Sequence, residues 1–81
     1  SNGSYLKAVE FIENNKQIKE ETGGITGYGM FVSGSIETNN GKGIADLYIK
    51  VKGKDKDVKV NVYLIKGADN KWQVKEIFYL D

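Results

Sequence analysis

Apolar and polar side chains alternate through residues 44–66, IADLYIKVKGKDKDVKVNVYLIK, on both sides of a charged turn. Alternation with a period of two is typical of strands that bury one face and expose the other. The charged run over residues 53–57 supplies the turn. The pattern therefore predicts a hairpin with strands at 44–52 and 58–65. The buried face is predicted to consist of Ala45, Leu47, Ile49, Val51, Val58, Val60, Val62 and Leu64.

A further strand is predicted before this hairpin, over residues 28–38. Its apolar members are Met30, Phe31, Val32 and Ile36. Gly34 within the run predicts a bulge, or close packing of the backbone under an aromatic ring. The turn that follows, Asn39–Asn40–Gly41, has the Asn-Gly chemistry of a tight hairpin.

The last strand is predicted after the turn at residues 67–70. It begins with Trp72 and Val74 facing inward, and its inward face resumes at Ile77 instead of Glu76. This slip by one residue predicts a bulge near Lys75 and Glu76. Trp72 is expected to cap the core, with an interface role as the alternative.

Residues 4–13 predict the helix of the domain. Ser4 is the expected N-cap, Leu6 and Phe11 widen the apolar stripe, and a ragged turn over residues 17–21 holds Ile18 inward before Gly23 ends it. The stripe itself consists of Tyr5, Ala8, Val9 and Ile12. The expected fold class is α+β, with one N-terminal amphipathic helix packed on a four-stranded antiparallel β meander. Residues 4–81 are expected to form one domain.

The composition restricts the function. The 81 residues contain no His, no Cys and no Arg, and 12 Lys against 11 acidic residues give a net charge of +1. Without His and Cys, the commonest general base and the commonest metal ligands are missing, so we expect no enzyme, no metal and no cofactor. A balanced charge without Arg also argues against nucleic-acid binding.

Two groups of carboxylates bear on this expectation. Asp55 and Asp57 begin like a calcium loop, but Val60 stands where a Gly is needed and Lys66 where a Glu should close the site. An enzyme that acts through carboxylates such as those of Glu37 and Asp46 would need an acid of raised pKa in a cleft.

The most suggestive surface is the outward face of the central hairpin. Its side chains combine aromatic contact area with positive charge, a mixture that suits an acidic protein partner or anionic lipid headgroups. The alternative is an ordinary solvated strand face. The candidate partner-binding residues are Tyr48, Lys50, Lys52, Lys59, Asn61 and Tyr63.

The chain resembles the cytochrome c oxidase assembly factor family, whose relatives include the intermembrane-space domain of a presequence-translocase subunit. The residues that carry the resemblance are Ala8, Ile12, Asn15, Gly24, Ile25, Val32, Gly34, Ile36, Gly41, Gly43, Ala45, Leu47, Val51, Gly53, Lys54, Val60, Trp72, Val74 and Ile77. The resemblance implies a small domain, tethered by a single membrane helix, that binds membrane-protein complexes. Its Arg-free, Asn- and Lys-rich composition departs from a mitochondrial member, so a bacterial member is expected.

Residues 1–3 look like the remnant of a removed expression tag, so the native N-terminus is expected to be missing. The resemblance implies that a membrane anchor precedes the domain. Together with the resemblance, this predicts a non-enzymatic interaction domain on the extracytoplasmic face of a bacterial membrane, with a membrane-associated protein partner. Assistance in the assembly of membrane-protein complexes is the implied role. The alternative function is small-ligand binding in a pocket between helix and sheet. We expect a monomer or a weak dimer.

Overall fold

A computed structural model describes residues 3–30 and 32–80. The elements in chain order are α1 (Gly3–Glu13), α2 (Lys16–Thr22), β1 (Ile25–Tyr28), β2 (Ser33–Asn39), β3 (Lys42–Gly53), β4 (Val58–Lys66) and β5 (Trp72–Leu80). The expected α+β class with an antiparallel sheet is confirmed. Residues 1–2 of the predicted tag remnant, Phe31 of the predicted first strand and Asp81 lie outside the described residues, and Gly3 is the first residue of α1.

The sheet has five strands instead of the expected four. Its order is β1-β3-β4-β5, and β2 pairs with β3 as well. The predicted strand over residues 28–38 is wrong as a single element, because β1 pairs with β3 as far as Tyr28↔Val51 and β2 starts at Ser33↔Tyr48. Four residues, 29–32, span this gap against two residues of β3, so a continuous ladder is impossible. Both short strands therefore share one edge of β3.

The turn between β2 and β3 confirms the predicted Asn-Gly hairpin. Asn39 pairs with Lys42, and the two residues between them have positive φ, 53° at Asn40 and 79° at Gly41. Positive φ at both positions is the signature of a type I′ turn, whose twist matches that of the flanking strands.

The helical region is also divided into two elements. Instead of a ragged turn, α2 is a seven-residue helix, and the Asn15 side chain caps it by accepting a hydrogen bond from the Ile18 N–H at 2.9 Å. Gly23 ends α2 in the left-handed conformation, with φ 76°. Ser4 lies inside α1 and is buried, so it is not the residue that precedes the helix.

The core lies between the two helices and the inner face of the sheet. The predicted alternation is confirmed in β3 and β4, whose inward residues are buried or, at Val58, half-buried. Leu6 and Phe11 do not widen the buried stripe, because Leu6 is 66% exposed and Phe11 is also exposed. The buried apolar side chains of the described residues are Ala8, Ile12, Ile18, Ala45, Leu47, Ile49, Val51, Val60, Val62 and Leu64.

The bulge in β5 is confirmed. Val74 pairs with Leu64 and Glu76 pairs with Tyr63, so Lys75 is the extra residue. The expectation for Gly34 is wrong in both of its forms, because β2 pairs with β3 in unbroken register and Gly34 therefore forms no bulge. A Cβ there would overlap the carbonyl oxygen of Asp46, so the close approach is to backbone and not to an aromatic ring.

Candidate interaction surface on the outer face of the sheet

The six predicted partner-binding residues lie together on the face of the sheet that points away from the helices. Tyr48 pairs with Asn61 and Lys50 pairs with Lys59 across β3 and β4. Lys52 continues the same face of β3 beyond Lys50, because side chains two residues apart in a strand point the same way.

β5 adds two apolar side chains to this face that were not among the predicted residues. Phe78 pairs with Asn61 and Leu80 pairs with Lys59. Phe78 is 51% exposed, and Leu80 is exposed as well. The sequence held the signal for both, because a bulge that turns Ile77 inward must turn Phe78 and Leu80 outward.

The other end of the same face is also apolar. Ile44 pairs with Ile65, and Ile44 is 46% exposed. The two side chains help to line an open concavity of about 600 Å³, whose polar lining includes Glu37 and Lys42. Apolar and aromatic side chains therefore occur on the outer face of all three strands, interspersed with polar ones such as Asp46 and Asn61. We call this surface the outer strip and define it as Ile44, Tyr48, Tyr63, Ile65, Phe78 and Leu80.

Asn61 has a structural role within the surface. Its side-chain amide donates hydrogen bonds to Asp46 Oδ1 at 2.7 Å and to the Leu47 carbonyl oxygen at 3.1 Å. The Tyr48 hydroxyl lies 3.5 Å from the second carboxylate oxygen of Asp46. Asn61 is half-buried and its donors are engaged, so it holds Asp46 in place instead of offering itself to a partner.

The lysines of the surface are only partly compensated. Lys50 and Lys59 are directly opposite each other, an arrangement in which like charges destabilise a sheet. Asp57 lies 3.6 Å from the Lys50 ammonium group. Within residues 3–30 and 32–80, neither Lys52 nor Lys59 forms an ion pair. One end of the outer strip therefore has a local excess of positive charge.

The two carboxylates considered for catalysis, those of Glu37 and Asp46, belong to no group in the described residues that could hold a metal ion. Glu37 is exposed on β2, and the Asp46 carboxylate accepts the hydrogen bond from Asn61. In the part of the chain that the structure describes, no group of three His, Cys, Asp or Glu residues is placed to hold a metal ion.

The alternative function, small-ligand binding, requires a pocket between the helices and the sheet. Ala8, Ile12, Val60 and Val62 have no exposed surface. A void large enough for water would expose part of the side chains around it, so these residues line none. An open concavity of about 610 Å³ lies where the helices meet β5, and seven of its nine lining residues have polar or charged side chains, with Phe11 and Val74 as the apolar members. Ligand pockets are usually lined by apolar groups, so this concavity is a poorer candidate than the outer strip.

None of the helices in the described residues is long and apolar enough to cross a membrane. No protein-family model matches the chain, and no curated protein or solved structure matches it significantly.

Proposed function

We propose that the domain is a non-enzymatic interaction module that binds a protein partner through the outer strip. One observation carries the proposal: apolar and aromatic side chains, exposed on β3 and β5 and half-buried on β4, share a face that no helix of the described residues covers. Contiguous exposed apolar surface with a polar rim is characteristic of protein-binding sites. Tyr and Phe in its centre and charge at its margin also match the usual anatomy of an interface.

The charge at one end of the outer strip indicates the chemistry of the partner. Lys50 and Lys59 repel each other across the strands, and an acidic side chain bound between them would relieve that repulsion. Tyr48 and Phe78 lie two residue pairs further along, next on the same face, where they would contact apolar groups beside that acid. The expected partner segment therefore combines a carboxylate with an adjacent apolar or aromatic side chain.

We further propose that the native protein is tethered to a bacterial membrane and exposes this domain on the extracytoplasmic side. The support is the resemblance to the assembly factor family, which the residues named above carry. In this setting the partner is membrane-associated, and the role is to assist the assembly of a membrane-protein complex. The sequence of the full-length gene product tests the tether, because the proposal requires an apolar segment long enough to span a membrane outside this domain.

Site-specific photocrosslinking tests the binding surface. A photoreactive amino acid is placed at Tyr48 or Phe78 in the full-length protein, and crosslinked products are identified in membranes of the native cell. Leu6 provides the matched control, because it is an exposed apolar residue on α1. We expect one protein to crosslink at Tyr48 and Phe78 but not at Leu6.

Charge reversal separates specific binding from nonspecific contact. Lys50→Glu with Lys52→Glu should abolish the crosslink and leave the fold intact. Lys16→Glu with Lys71→Glu changes the net charge equally at exposed sites outside this face and should preserve it. Equal crosslinking at all three positions would contradict the proposal. Binding to anionic vesicles without any protein crosslink would assign the surface to lipid instead.

A further inference from the structure

β2 forms an edge of the sheet with unpaired backbone groups. Among the residues that the structure describes it pairs only with β3, and the Asn39–Lys42 pair closes the two-residue turn. Backbone hydrogen bonds alternate along an antiparallel ladder, so the N–H and C=O groups of Gly34, Ile36 and Thr38 point away from β3. An edge of this kind is a template for another strand.

This edge lacks the features that usually prevent pairing. The seven residues of β2, SGSIETN, contain no Lys and no Pro, and Glu37 is their one charge. The opposite edge, β5, carries Lys75 and Glu76 at a bulge that interrupts its ladder. Charged residues and bulges at an edge discourage the addition of strands. β2 is therefore the more open of the two edges.

The inner face beside β2 is apolar and uncovered. The helices pack on β1, β3, β4 and β5, and every residue of β2 is exposed. Ile36 is 43% exposed, and Met30 and Val32 are exposed next to it. Together with Tyr5 and Leu47 these residues line an open concavity of about 420 Å³. A strand added to β2 would cover part of this apolar surface.

We propose that β2 pairs antiparallel with β2 of a second copy of the chain, about a two-fold axis at Ile36. In this register Ser33 lies opposite Asn39 of the second copy, Gly34 opposite Thr38, and Ser35 opposite Glu37. Every residue of β2 has a partner in the second copy. The outward-pointing backbone groups of Gly34, Ile36 and Thr38 form the hydrogen bonds between the two strands. The two inner apolar surfaces lie side by side.

The charge pattern selects this register and favours a second copy as the occupant. A two-fold axis at Glu37 would place two carboxylates face to face, which is destabilising. With the axis at Ile36, each Glu37 meets a serine and the two isoleucines meet each other. The strand is thus complementary to itself, as an isologous interface requires. Because one strand and a few apolar side chains form the contact, the dimer is weak.

Cysteine crosslinking tests the register. The chain has no cysteine, so a single introduced thiol can react only with its copy. Facing residues of a hydrogen-bonded antiparallel pair have Cα atoms about 5.5 Å apart, which lies within disulfide range. Ile36→Cys is expected to form a disulfide dimer under mild oxidation. Ile44→Cys is the matched control, because Ile44 has similar exposure on the opposite face, and it should remain monomeric.

Sedimentation equilibrium over a range of protein concentrations tests the dimerisation without a covalent crosslink. Ile36→Lys places two charges at the two-fold axis and should weaken dimerisation by at least about tenfold, since each change in an isologous interface counts twice. Ile44→Lys should leave the dissociation constant of the dimer unchanged. A wild-type chain that stays monomeric, or equal disulfide yields at both positions, would overturn the proposal and leave the edge to a strand of a different protein.

Discussion

The indole ring of Trp72 packs against the backbone of Gly43, so that a Cβ built on Gly43 would stand 2.7 Å from Cη2 of the ring. Gly43→Ala should therefore force the ring to move and cost about 1–2 kcal/mol of unfolding free energy. Chemical denaturation measures the difference. Gly27→Ala is the control, because a Cβ at Gly27 meets nothing within 4 Å and should change stability little. Equal effects of the two substitutions would contradict the role of the ring.

Replacement of the ring itself should be more costly. Trp72 is half-buried against the core, and the Lys66 ammonium group lies 5.6 Å from the ring centroid. Trp72→Ala should cost about 3 kcal/mol, near the lower end for large aromatic residues because the ring is not fully buried. In the Trp72→Ala background, Gly43→Ala should become nearly neutral. Additive costs in this double-mutant cycle would show that the two residues do not interact.

Lys59→Glu should improve stability at the expense of binding. It converts the opposed pair Lys50–Lys59 into an attractive one, worth about 0.2–0.5 kcal/mol at an exposed position. The gain should shrink as salt is added, because salt screens exposed charges. The same change should weaken capture of an acidic partner. Lys59→Gln, which only removes the repulsion, should be intermediate in both measurements, and a destabilised Lys59→Glu chain would argue against the repulsion.

Deletion of Lys75 should be tolerated. Lys75 is the unpaired residue between Val74 and Glu76, whose partners Leu64 and Tyr63 are adjacent in β4. Its removal therefore restores a regular ladder without moving any side chain to the other face. We expect a change in unfolding free energy of within about 1 kcal/mol.

Deletion of Gln73 is the control for this experiment. It shortens the chain equally, but it forces either Trp72 or Val74 out of its inward position, since one residue of shift reverses the face of a strand. Thermal unfolding should therefore show a much less stable protein. Similar melting of the two deletion variants would contradict the assigned position of the bulge.

Alkaline pH should destabilise the fold through Tyr28. Burial raises the pKa of the Tyr28 hydroxyl, and the Glu13 carboxylate, to which it donates a hydrogen bond at 3.2 Å, raises it further. The folded chain then holds this proton more tightly than the unfolded chain. The contribution of Tyr28 to stability is therefore complete below about pH 10, the unfolded pKa, and declines as the pH rises above it.

Tyr28→Phe isolates this contribution, because the titration of the lysines is common to both proteins. Unfolding free energies measured from about pH 9 to about pH 11.5 should fall less steeply for Tyr28→Phe than for the wild type. Burial, followed by the Glu21 charge, also raises the pKa of Tyr79, so Tyr79→Phe should act in the same direction. Parallel pH profiles for all three proteins would contradict the assignment.

Period-two burial was the most informative signal in the sequence. It predicts the inward faces of β3 and β4, and the slip between Val74 and Ile77 predicts the bulge at Lys75. These signals are local, because each strand buries one face. The six surface residues were predictable for the same reason, since the outward face is the complement of the buried one.

The remaining features depend on contacts that local patterns do not encode. The division of the first strand follows from a mismatch of residue number between two segments that pair with β3. The engagement of Asn61 by Asp46 and Leu47 depends on a cross-strand neighbour. The exposure of Ile36 and Leu6 depends on where the helices lie over the sheet, and an apolar residue at the correct period is buried only if another element covers it.

Because β2 supplies no buried residue, its detachment from β3 would leave the core intact. Its amide protons should then exchange with solvent through local opening, far faster than those of β4, which open only with the whole domain. Anything that binds this strand would slow that exchange selectively. The deuterium uptake of β2 should therefore report whether another strand occupies the sheet edge, while the uptake of the rest of the domain stays unchanged.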